Sequence, residues 1–67
     1  MLGNLKEAEN LARRALDLDS EFVEANSNLS AILIDLGNLV EAEKYARKAI
    51  DINPNYFIAY SNLANIL

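Results

Sequence analysis

The sequence predicts an all-α fold, a solenoid of antiparallel helix hairpins with four helices. Three observations carry this. The chain repeats itself at a spacing of 34 residues, and 17 of the 32 pairs from Leu2/Leu36 to Leu33/Leu67 are identical. A fixed period of that size marks stacked helical repeats. Small and apolar residues, mostly Ala and Leu, recur at helical spacing, and no alternating strand pattern competes with them. Helix-start and helix-stop residues also recur at the period: Asn4 and Asn38, Gly3 and Gly37, Ser20 and Pro54.

The elements follow in order. Asn4 and Asn38 each precede an apolar-periodic run and have Glu three residues later, a spacing that resembles a capping box. They predict helices over about 5–18 and 39–52. The first presents Ala8, Leu11, Ala12, Ala15 and Leu16 on one face, the second Ala42, Tyr45, Ala46, Ala49 and Ile50. On the other face, read as solvated, Glu9/Arg13 and Glu43/Arg47 stand at i,i+4 in the favourable Glu-first order. Asp19 and Asn53 are the next expected N-caps, with Ser20 and Pro54 at the first helical position, where proline loses no intrahelical bond. They predict helices over about 20–35 and 54–67. Gly37 reads as a left-handed C-cap. Residues 1–67 thus form one repeat segment with tight turns.

Composition excludes several function classes. There is no His and no Cys, so the usual zinc, haem and iron–sulfur ligands are absent, and neither a metal nor a cofactor is expected. Ser20, Ser27, Ser30 and Ser61 have no His base, and no Gly-rich phosphate loop exists, so the chain does not read as an enzyme. A net charge of −4 argues against nucleic acid. Apolar runs such as Ala31 to Ile34 are far too short to span a membrane. With no signal peptide visible, a cytoplasmic setting is the default expectation.

A 34-residue unit of two antiparallel helices resembles the tetratricopeptide repeat. The family pattern runs W-x2-L-G-x2-Y in the first helix, A, and A-x3-F in the second, B, with a proline after it. Leu29 and Leu63 match its Leu, Ala8 and Ala42 its second-helix Ala, Ala15 and Ala49 a later Ala, and Pro54 its proline. The strings Asn53-Pro54-Asn55 and Leu36 to Ala42 are also typical. Departures stand at the aromatic position (Asn26, Tyr60), the Gly (Ser30, Ala64), the Tyr (Leu33, Leu67), the Phe (Ala12, Ala46) and the first proline (Ser20). The frame is then B-A-B-A.

The resemblance implies a right-handed superhelix whose A helices line a concave groove, and a protein–protein interaction module. It places Glu24, Ser27, Asn28, Ala31, Ile34 and Asp35 at the groove from one A helix, with Ile58, Ser61, Asn62 and Asn65 from the next. Asn28 and Asn62 repeat at the period. An amide offers donor and acceptor together, so such a ladder can hold a peptide main chain whatever its side chains. Family members use Asn here in that way, including the superhelical arm of the O-linked N-acetylglucosamine transferases. The plainer reading is that these residues tie neighbouring A helices together or face water. Ser27 and Ser61 read as small groove-floor residues. The A helices carry only Glu21, Glu24 and Asp35 as charges, which disfavours the family's carboxylate clamp for chaperone tails and suits a neutral or weakly basic extended segment.

Two alternatives accompany this reading. One is the substrate-recruiting arm of a larger transferase, since a fold does not fix a function. The other is a structural segment that self-associates. Neither terminal helix has a polar outer face, and repeats cannot bury their apolar faces alone. Leu63, Ile66 and Leu67 at one end and Leu5, Ala8 and Leu11 at the other are expected to stack head to tail into a homo-oligomer, a heterologous contact that need not close.

Overall fold

Each repeated segment folds into a helix in the computed structural model, which describes residues 4–67. Met1, Leu2 and Gly3, which open the first copy of the repeated string, lie outside the described residues. The helices are α1 (Leu5–Leu18), α2 (Val23–Asp35), α3 (Leu39–Ile52) and α4 (Phe57–Ile66). α2 lies at the centre, packing most extensively on α3 and also on α1 and α4, while α4 packs on α3 as well. The result is a flat slab of 32 × 29 × 17 Å.

The core follows from the residues that face α2. Leu29 and Leu33 are fully enclosed against Ala42, with Ala12, Leu16, Ile34, Tyr45 and Ile66 packed around them. Enclosing such a leucine is worth roughly 1.5–3 kcal/mol. Ala42, Ala46 and Ala49 on α3 are all at 0% exposure, and so is Ala59 on α4. Methyl-sized side chains let the helix axes approach. Close approach is visible in Ser30, whose hydroxyl, also at 0% exposure, donates to the Ala42 carbonyl at 2.8 Å.

The helix starts differ from the sequence expectation in three places. Asp19 and Asn53 do not cap α2 and α4. Instead each opens a β-turn, closed by Phe22 N–H to Asp19 O at 3.2 Å and Tyr56 N–H to Asn53 O at 3.0 Å. Their side-chain oxygens accept from Glu21 N–H and Asn55 N–H at 3.0 and 3.1 Å. This local bonding by Asp and Asn competes with helix formation. Phe22 and Tyr56 are then extended, at ψ 101° and 93°, and the helices begin at Val23 and Phe57 rather than at Ser20 and Pro54. Pro54 therefore serves the second position of a turn, where its restricted φ is equally suited. Asn4, the third case, has helical backbone (φ −89°, ψ −8°) and makes no side-chain cap bond. An N-cap needs a non-helical backbone. Asn38 does cap α3: its Oδ1 accepts from Glu41 N–H at 3.4 Å, and its amide donates to the Glu41 carboxylate at 3.2 Å.

Gly37 ends α2 as expected. At φ 84° it lies in the left-handed region. Gly37 N–H donates to Ile34 O at 3.0 Å and Asn38 N–H to Leu33 O at 2.8 Å, the paired bonds of a Schellman turn. A methyl added at Gly37 would meet nothing within 4 Å. Gly37→Ala should therefore cost only backbone strain, about 1–2 kcal/mol, read as a lower urea midpoint. An unchanged midpoint would show that the turn does not depend on the left-handed residue.

Candidate functional site

The outward face of α2 carries Glu24, Asn28, Ala31 and Asp35 at helical spacing, all exposed except the half-buried Ala31. Half-buried Ile34, by contrast, packs on the core cluster. From α4, Ile58, Ser61 and Asn65 are exposed. Ser27 and Asn62 are placed otherwise. Ser27 is 1% exposed and Asn62 7%, because α4 lies against α2 along the seam where they meet. The Asn62 amide donates to the Ser27 carbonyl at 3.0 Å and to its hydroxyl at 3.2 Å. One period earlier, the exposed Asn28 amide makes no hydrogen bond among the described residues. The same residue at the same repeat position is engaged once and open once.

A concavity of about 490 Å³ lies between α1 and α2. Ala8, Ala12, Ala15 and Ala25 floor it, and Leu11, Phe22, Asn28, Ala31 and Ile32 complete its lining. No charged side chain is among them. Leu11 is 66% exposed, and among the described residues nothing covers the groove. Of the other residues expected at the ends, Leu67 is 82% exposed and Leu63 half-buried on α4. Ile66 packs on the internal core cluster instead. Leu5 is half-buried and lies outside the groove lining.

The charged face of α1 is less solvated than the sequence suggests. Glu9 is only 6% exposed. Arg13 donates to Glu9 at 3.0 Å, as the i,i+4 spacing predicts, but it also reaches Glu41 at 3.0 Å and the Tyr45 hydroxyl at 3.5 Å. The network bridges α1 to α3, whose backbones do not otherwise pack. Hydrogen bonds from Arg13 and then Lys6 hold the Glu9 carboxyl below its ordinary value of 4.5. Glu41, then Glu9, raises the Arg13 guanidinium above its usual range. Sequence reading missed this bridge because Arg13 and Glu41 share no local spacing. The recurrence of Glu7/Glu41 and Arg13/Arg47 is the signal that could have found it.

Asn26 also takes a role that its residue type conceals. Its buried amide donates to the carbonyls of Ser20 at 3.2 Å and Phe22 at 3.0 Å. Tyr60, its counterpart, donates from its hydroxyl to the Pro54 carbonyl at 2.8 Å. Both side chains reach six residues back and pin the turn that opens their helix. Polar reach, rather than aromaticity, is what the two share.

A family model described as tetratricopeptide repeat matches residues 1–67. No curated protein matches the chain. Among the described residues no helix is long and apolar enough to cross a membrane.

Two outcomes follow from this geometry. Asn62→Ala should lose about 1 kcal/mol of stability through its seam bonds, whereas Asn28→Ala should change the stability read from urea unfolding by less than about 0.5 kcal/mol. Equal losses would mean that Asn28 is engaged too. Glu9 titrates lower folded than unfolded, so it stabilises above the ordinary carboxylate value, and that contribution fades as pH falls through the folded value. The stability advantage of wild type over Glu9→Gln should therefore shrink between pH 7 and pH 3. An advantage independent of pH would refute the assignment.

Proposed function

The chain belongs to the tetratricopeptide repeat family, and from that premise we propose that its exposed α2–α4 face holds an extended peptide or partner segment by the main chain. Repeats of this family are in general protein–protein interaction modules. The observation that supports the finer reading is the Asn62 amide holding a main-chain carbonyl of this same molecule at 3.0 Å, while Asn28 presents the same group exposed and, among the described residues, unpaired. Asn28 is accordingly the residue that catches a carbonyl of the partner. Ala31 and Ile58 offer apolar contact beside it, and Ser61 and Asn65 add further polar groups. Ser27 and Asn62 act indirectly, by fixing the spacing between the two A helices.

Electrostatics favours a neutral or weakly basic segment. Glu24 and Asp35 flank Asn28 along α2, the face carries no Lys or Arg, and the chain as a whole has a net charge of −4. An acidic tail would meet repulsion at both ends of the stripe. Main-chain capture by an amide tolerates sequence variation in the ligand, so charge and the apolar surface at Ala31 and Ile58 must supply selectivity.

The test is selection of random unstructured peptides displayed on phage against the tethered, dilute chain. Neutral-to-basic binders should emerge and lose about tenfold in affinity on Asn28→Ala, equivalent to one main-chain hydrogen bond. Arg47→Ala, away from this face, should leave them unaffected. Binders indifferent to Asn28, or acidic ones, would defeat the proposal.

A further inference from the structure

The groove between α1 and α2 has a natural occupant in the chain itself. Much of the contact that joins α1–α2 to α3–α4 can be moved along by one period of 34 residues and read again, although the Ser30 hydroxyl has only Ala64 as its counterpart. Inside the molecule, α3 packs on α2 and α4 and carries an alanine wall of Ala42, Ala46 and Ala49, all at 0% exposure. One period earlier that wall is Ala8, Ala12 and Ala15, the groove floor, only half-buried. The residues that α2 buries inside the molecule also recur. Ser27, Leu29, Ser30 and Leu33 are buried, while their counterparts Ser61, Leu63, Ala64 and Leu67 on α4 are exposed or half-buried.

We propose that α4 of one copy of this chain docks in the α1–α2 groove of a second copy, reproducing the internal junction between molecules. Three features of the internal junction transfer with it. Asn28 of one copy meets the Ser61 carbonyl and hydroxyl of the other, as Asn62 meets those of Ser27 at 3.0 and 3.2 Å. Leu67, 82% exposed, takes the place that Leu33 holds at 1%. Arg47, which already bonds Glu43 at 2.8 Å, comes opposite Glu7 of the next copy, as Arg13 bonds both Glu9 and Glu41. The charges on the two surfaces are therefore complementary at the rim and absent along the seam, since α4 carries no ionisable group except its tyrosine. The contact uses different surfaces on its two sides, so it propagates rather than closing at two copies.

The inference names a partner for the interaction surface proposed above, and Asn28 belongs to both. Peptide capture on dilute, tethered protein does not require association, so the two readings fail separately. The measurement is weight-average mass by sedimentation equilibrium from micromolar to millimolar chain. Mass should climb above 7.4 kDa with concentration and show no plateau at the dimer. Leu11→Glu blocks the groove and Ala64→Glu blocks α4. Both sites are exposed, so helicity by circular dichroism should be retained. Each variant alone should stay at 7.4 kDa, and an equimolar mixture should form one dimer of twice that mass and stop. A wild-type mass constant at 7.4 kDa overturns the proposal and leaves the groove to some other helix. So does a mass that saturates at a closed wild-type dimer, or a mixture of the folded variants that remains monomeric.

Discussion

The fold depends on one constraint: α2 must lie close enough to α3 for helix surfaces to touch with only methyl groups between them. Ala42, Ala46 and Ala49 meet that constraint, and Leu29 and Leu33 fill the space beside them. An alanine buries little apolar area, so each contributes modestly to the hydrophobic driving force. What it contributes is proximity. With the axes close, the Ser30 hydroxyl reaches the Ala42 carbonyl, and α4 can rest on α2 and α3 together. A larger residue at Ala42 would separate the helices and strand Ser30, a buried donor, without its acceptor. Losing a partner in that way costs more than the bond was worth, because the group has already lost its water.

That constraint is local, and the repeat makes it recur. In a solenoid each unit touches only its neighbours, so stability accumulates junction by junction. The same alanines in α1 and α3 consequently stand in different surroundings: Ala42, Ala46 and Ala49 are sealed, while Ala8, Ala12 and Ala15 are half open. Residue identity alone therefore does not distinguish core from surface in this chain. The distinction belongs to whichever helix lies next to it. The Arg13–Glu9–Glu41 network has the same logic in polar form, since it links one B helix to the next, whereas the analogous Arg47 pairs, among the described residues, with Glu43 of its own helix.

Periodicity made the helix centres, the Gly37 turn and the i,i+4 ion pairs legible, because those depend on residues close together in the chain. The errors arose where a local rule had two physical outcomes. Asp19 and Asn53 satisfy the requirements of an N-cap and of an Asx turn alike, and the extended Phe22 and Tyr56 decide for the turn. Glu9 has the spacing of a solvated ion pair, yet a cation shared with α3 draws it into a buried seam. Asn26 departs from the aromatic pattern but keeps the hydrogen bond that Tyr60 makes. At the candidate site the period aligns Asn28 with Asn62, but it carried no information on which one a neighbouring helix would cover.

That last ambiguity bears on function. Asn62 and Asn28 have the same side chain, the same helical context and the same repeat position, and they differ only in whether a main-chain carbonyl lies within reach. The bond that ties A helix to A helix and the bond that would hold a ligand are thus chemically one interaction. A carbonyl accepts two hydrogen bonds, so a helical carbonyl such as Ser27 O can take an amide from outside its own helix. An extended peptide presents more such carbonyls, and presents them without the competing helical donor. On the proposed reading, a repeat that stacks by amide-to-carbonyl contact would offer main chain a place to bind wherever the stack is open. Cohesion within the array and recognition outside it would then draw on the same residue, with geometry deciding which of the two it performs.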